Sequence, residues 1–447
     1  MYEYLIYSRL KKFANAKKSF HIPGHKARGD FKAKFRTADT DVTELSYSDN
    51  LLSPSGVIAA AQKDIAEILG AVKSYITTDG SSSGVYALLY AASKRGNKII
   101  VFRNSHQSVW GACRLFGLEP LIVQGAEKEG VLMPPDSETV EKLLSKDANI
   151  AGILATSPDY YGNIAPLEKY AEAARRYNRL LLVDEAHGAH LAFGDRKGYA
   201  GSYADAWVDG AHKTLPTLTQ GATVNVNNEE LIPLIEEALS MFRTTSPSYP
   251  IMASVEYGVK YLANNASRVQ RARSAVKDFE RNADEVLPVL RNDDWTKLLI
   301  DFKQLGVSPE AVALRLEKKG IYPELTDGRY MLFYLSPMTE AADLSALYKA
   351  LSAIVTNKKL KGTYEEKPSV PEGERSYSFQ YALRKPCEYV PLTDAVGRMC
   401  ARNAGLTPPC IPVVVTGEIV TAAAVKCLSS AKTTFGITDG KICVVKK

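Results

Sequence analysis

Short runs of consecutive apolar residues alternate with stretches of helical spacing through the first half of the chain. The runs at 98–103 (KIIVFR), 118–123 (LEPLIV), 150–155 (IAGILA), 180–184 (LLLVD) and 222–226 (ATVNV) are apolar enough to be buried on both faces. Between them, 137–145 and 166–177 have helical spacing, the second opening with Pro166 at a first-turn position. This alternation predicts βα units around a largely parallel sheet over residues 56–240.

The pattern changes after 240. Helix-like stretches at 253–266 and 275–287 precede short strands at 298–302 and 331–335, with a helical 309–319 between the strands. A smaller α/β domain is expected over 241–356. The polar segment 357–378, rich in charge with Pro and Gly, reads as a linker to a C-terminal domain at 379–447. Residues 1–55 remain as an N-terminal arm.

Composition narrows the function classes. A chain of 447 residues, 45% hydrophobic and 24% charged, is an ordinary globular protein of more than one domain. The net charge of +6 comes from 56 basic and 50 acidic residues, with no basic stripe to suggest a nucleic-acid partner. Glu3 and Arg9 interrupt what would be a signal core, and no apolar run approaches a membrane span, so neither secretion nor a membrane role is expected. Cys387, Cys400, Cys410, Cys427 and Cys443 crowd the C-terminal end without a CxxC pair or histidines, and Cys113 stands alone. Reduced thiols of a cytoplasmic protein are expected, with no metal site.

All six histidines, His21, His25, His106, His187, His190 and His212, lie in the first half, in motif-like settings. Four of these settings suggest chemistry. A Ser/Gly loop at 78–84 precedes the helical run VYALLYAAS, and a helix N-terminus with added hydroxyls can hold a phosphate, although it can equally be a capped turn. In LLLVDEAHGAH a strand delivers Asp184 to its C-terminal end, where α/β sheets bind ligands; an aspartate there can keep a pyridine nitrogen protonated, or simply cap a turn. About one βα unit later, Asp209-Gly210-Ala211-His212-Lys213 presents a lysine suited to imine chemistry. His106 follows the strand at 98–103 and can lie against a cofactor ring or cap a helix. Phosphate loop, acidic strand end and His-Lys, in this order, point to pyridoxal 5′-phosphate (PLP).

These residues resemble the Orn/Lys/Arg decarboxylase family, PLP enzymes of the aspartate-aminotransferase fold, in the short form without an N-terminal receiver-like domain. FHIPGHK (20–26), DVTEL (41–45) with Asp49, GSSSG, NSHQS, SPDYYG, DEAHGAHLAF, HKTLPTLTQ, TTSPSYPIMAS and, more loosely, PPCIPVVVTGE occur in the family's order. The resemblance implies an α/β fold of PLP fold type I, with a mostly parallel seven-stranded sheet in the large domain, a small α/β domain and a C-terminal α+β domain. It makes Lys213 the Schiff-base lysine, Asp184 the partner of the pyridine nitrogen and His106 the ring-stacking histidine. Ser81, Ser82 and His212 match phosphate-contacting positions. Thr244 matches a residue that reaches the neighbouring subunit's phosphate, which implies a homodimer with shared active sites.

Three departures stand out. Gly210 replaces a hydroxyl residue, so restoring one with Gly210→Ser is expected to tighten the cofactor; Leu52 replaces a histidine; Cys410 replaces a glycine. The implied activity is decarboxylation of a basic L-amino acid, arginine ahead of lysine or ornithine, with Glu44, Asp49 and Asp159 as candidates to receive the distal charge. An aminotransferase and a non-catalytic PLP- or partner-binding homologue remain the alternative readings.

Overall fold

The structure is a computed structural model that describes residues 1–14, 19–283, 286–356, 364, 368–375, 377–407 and 410–447. Half of the expected linker lies outside the described residues, as do 15–18 of the arm, 284–285 of the helix expected at 275–287, and the Pro pair 408–409 of PPCIPVVVTGE. The chain divides into two compact units.

Seven strands form the large sheet: β1 (Lys73–Thr77), β2 (Lys98–Phe102), β3 (Glu119–Val123), β4 (Ile150–Thr156), β5 (Leu180–Glu185), β6 (Ala206–Asp209) and β7 (Ala222–Val226). The first unit, Met1–Lys94 with Leu180–Arg271 and Ser336–Met338, holds β1, β7, β6 and β5 in that order. There β5 and β6 run parallel, while β7 is antiparallel to both its neighbours. The second unit, Arg95–Arg179 with Ala272–Leu335 and Thr339–Lys447, holds β4, β2 and β3, all parallel. The five apolar runs become strands, each within a residue or two of its expected bounds.

The pattern missed β1 and β6 because their polar residues are buried but paired. Ser74 of β1 hydrogen-bonds Asn225 of β7 at 2.7 Å, and Trp207 of β6 donates to Asp209 of the same strand at 3.1 Å. Helices form at Ser137–Leu144 and Leu167–Arg176; Pro166 takes the cap position of the second rather than its first turn.

Within the first unit, the N-terminal helix Leu5–Phe13 is tied down by a buried carboxylate. Glu256 accepts from the backbone N–H groups of Leu5, Ile6 and Tyr7 at 2.5, 2.8 and 3.4 Å, which satisfies donors that a helix start leaves open. Lys260, fully buried, donates to Glu256 at 2.9 Å and to the Glu3 carbonyl at 2.7 Å, and pairs with Asp64 at 2.6 Å.

The second unit adds two further cores. A four-stranded antiparallel sheet built on Lys297–Asp301 and Tyr330–Tyr334 packs with Pro309–Glu317 and Ala341–Val355 around Leu298, Phe302, Val312 and Leu351. Small antiparallel sheets and the helix Ala422–Ser430 enclose a C-terminal core that includes Val370, Ala404, Val413 and Val444. Val370 and the strand Glu374–Arg375, which pairs with Glu418–Ile419, belong to this packing although they fall within the expected linker.

Candidate active site

In the first unit, β1 leads into the helix Gly80–Ser93. Gly80 turns the chain with φ +74, a value that costs glycine little, so the serines stand on the first helical turn rather than in a loop. Asp79 at the cap position places no side-chain bond on the helix start. Ser83 turns inward, donating to the Gly80 carbonyl and pairing with Thr77. Ser81 and Ser82, half-buried beside the uncapped N–H groups, have no such structural task among the described hydrogen bonds. This turn therefore fits an anionic phosphate by both its dipole and its donors.

β5 carries Asp184 at its C-terminal end, buried, with Oδ1 accepting from Ala186 N at 3.2 Å. β6 ends at Asp209, and the short helix Ala211–Thr214 then brings His212 and Lys213 to the same end of the sheet. The half-buried Lys213 Nζ lies 3.0 Å from His187 Nε2, two atoms that are an amine and a base in hydrogen-bond reach. Sequence reasoning gave His187 no role. Its signal lay in DEAHGAH, three residues beyond Asp184, but its meeting with Lys213 arises only when β5 and β6 pair.

His212 donates from Nδ1 to the Gly221 carbonyl at 2.9 Å, since a carbonyl can only accept. Burial and then the neighbouring Lys213 charge hold its pKa below the ordinary histidine value, against that hydrogen bond. Thr244 is exposed; its hydroxyl accepts from Ser246 N at 3.1 Å.

Gly210 bears on the expected hydroxyl. A Cβ there would collide with the Ala186 carbonyl oxygen and press on the Lys213 side chain, so Gly210→Ser must displace backbone before its hydroxyl can help. The expected tightening does not follow from this geometry.

The two N-terminal motifs meet: His25 Nε2 of FHIPGHK lies 3.2 Å from Asp41 of DVTEL, and His25 Nδ1 accepts from Ala27 N. Asp49 is committed to structure, its carboxylate accepting from the N–H groups of Asn50, Ser55, Gly56 and Ile58. Leu52 is exposed.

In the second unit, His106 caps the helix Gln107–Phe116. Its Nδ1 accepts from Ser108 N at 3.2 Å and lies 2.8 Å from the Ser108 hydroxyl, which leaves the ring exposed. Asp159 is spent on its own turn, accepting from Tyr161 N, Asn163 N and Asn163 Nδ2, although burial raises its pKa to about 6. Of the three carboxylates proposed to read the substrate's distal charge, Glu44 is exposed, its carboxylate accepting from the neighbouring Thr43 hydroxyl. Cys410 is exposed. Among the described residues there is no disulfide, no cluster able to hold a metal, and no helix long and apolar enough to cross a membrane.

Comparison with known proteins places this geometry. The sequence profile of the Orn/Lys/Arg decarboxylase major domain matches residues 5–296, and that of the same family's C-terminal domain matches 358–435. The arginine decarboxylase of Halalkalibacterium halodurans is 30% identical over 434 residues, covering 90% of this chain and 88% of that one. In fold, the chain superposes on the constitutive lysine decarboxylase of E. coli with a TM-score of 0.80 at 19% identity, over 99% of this chain and 82% of that one. It also superposes on a serine palmitoyltransferase from S. paucimobilis with bound PLP, with a TM-score of 0.56 at 13% identity over 78% of this chain and 82% of that one. A matching profile over most of the chain, a relative aligned over 90% of it and a mostly parallel large sheet lead to one assignment: the chain belongs to the Orn/Lys/Arg decarboxylase family, whose cofactor is pyridoxal 5′-phosphate.

Proposed function

We propose that this chain removes the α-carboxylate of a basic L-amino acid as CO2, with arginine preferred to lysine and ornithine, and that Lys213 is the amine that engages the cofactor's aldehyde. The observation that carries the reading is the 3.0 Å approach of Lys213 Nζ to His187 Nε2 beside the end of β5. The arginine preference rests on relatives such as the H. halodurans enzyme.

Bound PLP supplies a protonated ring that accepts the electron pair released when the carboxylate leaves. The chain's own groups prepare that event. Ser81, Ser82 and the helix start would hold the phosphate, and His212 would add a donor from Nε2 once it is protonated. Asp184, buried at the end of β5, would hold the proton of the pyridine nitrogen. His187 accepts a proton from Lys213 Nζ, so the amine is free to attack. By the family resemblance, His106 would stack on the cofactor ring, and it or Lys213 would return a proton to the substrate α-carbon. Thr244, exposed, serves the phosphate of a second copy in a homodimer.

Feeding PLP-loaded protein arginine, lysine and ornithine separately tests the reading by mass. An amine with CO2 is expected, fastest from arginine. A keto acid would identify an aminotransferase instead, and no product from any of the three would favour a non-catalytic homologue.

A further inference from the structure

Near the phosphate turn the first unit buries a guanidinium whose hydrogen-bond donors are not met. The helix Ile232–Phe242 runs alongside β1. Midway along it, Glu236 accepts from Lys73 Nζ at 2.6 Å and, at the same oxygen, from the Tyr75 hydroxyl at 3.0 Å. At its end the Phe242 ring packs 5.4 Å from that of Tyr86 on the helix Gly80–Ser93. Arg243 follows at the cap position, its Cζ 5.7 Å from the centre of the Tyr75 ring. Tyr75 and Thr77 point to the same face of β1, and Thr77 meets Ser83 of the helix Gly80–Ser93 at 2.9 Å. The guanidinium therefore lies on the side of β1 that carries this helix.

Arg243 is 8% exposed, and its Nε and Nη2 have no hydrogen-bond partner among the described residues. These two nitrogens share one edge of the guanidinium and aim two N–H groups in parallel, a fork that fits the oxygens of a phosphate. Glu236 is engaged by Lys73 and Tyr75 instead. Burial lowers the Arg243 pKa to about 10, against the charges of Tyr75, Asp79 and Glu236, so the group is a cation at neutral pH. Its charge acts in turn on Asp79, the cap residue of the helix Gly80–Ser93, as fits a place near the start of that helix. A buried cation with open donors opposes folding unless an anion completes it.

We propose that Arg243 is a further phosphate-binding residue, whose Nε and Nη2 donate to the cofactor's 5′-phosphate at the start of the helix Gly80–Ser93. The inference rests on the placement of that phosphate at Ser81 and Ser82 proposed above. It supplies a full positive charge, which two serine hydroxyls and a His212 of lowered pKa do not. The next residue, Thr244, is exposed and faces away from this buried edge.

The test titrates the full chain and Arg243→Met with PLP and with pyridoxal, the same molecule without its phosphate. The variant should bind PLP about tenfold or more weakly, as befits a lost charge-assisted pair, and pyridoxal equally well. In urea the cofactor-free variant should unfold no earlier than the unsubstituted chain, and inorganic phosphate should protect the unsubstituted chain more than the variant.

Unchanged PLP affinity would overturn the proposal. So would a loss shared equally by pyridoxal and joined to a lower urea midpoint, which makes Arg243 a packing residue on Tyr75. Should Arg243→Met fail to fold, Arg243→Lys decides: it keeps the charge without the fork, so PLP should bind several-fold more weakly with pyridoxal unchanged, and full PLP affinity refutes the fork. A double variant, Ser81→Ala with Ser82→Ala, separates the two readings. If it keeps full PLP affinity, the turn is not the phosphate site and the role of Arg243 falls with it; if it loses affinity while Arg243→Met does not, only the role of Arg243 falls. No readout depends on turnover.

Discussion

Two lysines of the first unit, Lys260 and Lys213, show how the same side chain becomes scaffold in one place and reagent in another. Lys260 is fully buried and fills its three donor positions with the Glu3 carbonyl, Glu256 and Asp64. Carboxylates pair with it on two sides, and the network's product is a fixed N-terminal helix. Lys213 is half-buried on a four-residue helix and faces an imidazole, a group that can take its proton. The printed partners differ: Lys260 is paired with two carboxylates, whereas an imidazole base lies 3.0 Å from the Lys213 amine.

Substitutions should separate the two. The largest effect on chemistry is expected from Lys213→Ala, which should keep the fold, lose the visible cofactor band and abolish nearly all decarboxylation. The largest effect on stability is expected from Lys260→Met, which leaves Glu256 buried without its cation. About 3–5 kcal/mol should disappear from the unfolding free energy in urea, while the folded fraction keeps its cofactor band.

His187→Ala removes the base beside Lys213 and should lower kcat by about a hundredfold, with stability nearly unchanged. A kcat close to that of the unsubstituted chain would assign His187 to packing instead. Gly210→Ser should weaken PLP binding by about 1–3 kcal/mol in a titration, because its Cβ meets the Ala186 carbonyl.

The smallest effect concerns pH. His212 commits Nδ1–H to Gly221 and is largely neutral at pH 7 in the free chain, since its pKa is lowered. To donate to a phosphate it must gain a proton at Nε2. PLP binding should take up a fraction of a proton near pH 7, and affinity should decline as pH rises. Calorimetry in buffers of different ionisation enthalpy measures this directly.

The same contrast explains what the sequence disclosed. β2–β5 and β7 were legible because they are apolar on both faces, and Asp184 and Lys213 stood out because a strand end and a His-Lys pair are local features. β1 and β6 were hidden because Ser74 and Asp209 are buried with partners on β7 and Thr77 with a partner on the following helix, which a one-dimensional pattern reads as polar turns. His187 beside Lys213 depends on the register of β5 with β6. Asp49 and Asp159 misled for the opposite reason. Their acidic side chains suggested recognition of a cation, yet each closes a local turn by accepting backbone N–H groups within a few residues.

Borohydride reduction tests the central claim most directly, because it fixes the cofactor to whichever lysine holds it. The PLP-loaded chain is reduced, digested and mapped by mass. The account predicts a single labelled peptide containing Ala211-His212-Lys213, with no label at Lys260. A label on any other lysine, or none where PLP is bound, would contradict it.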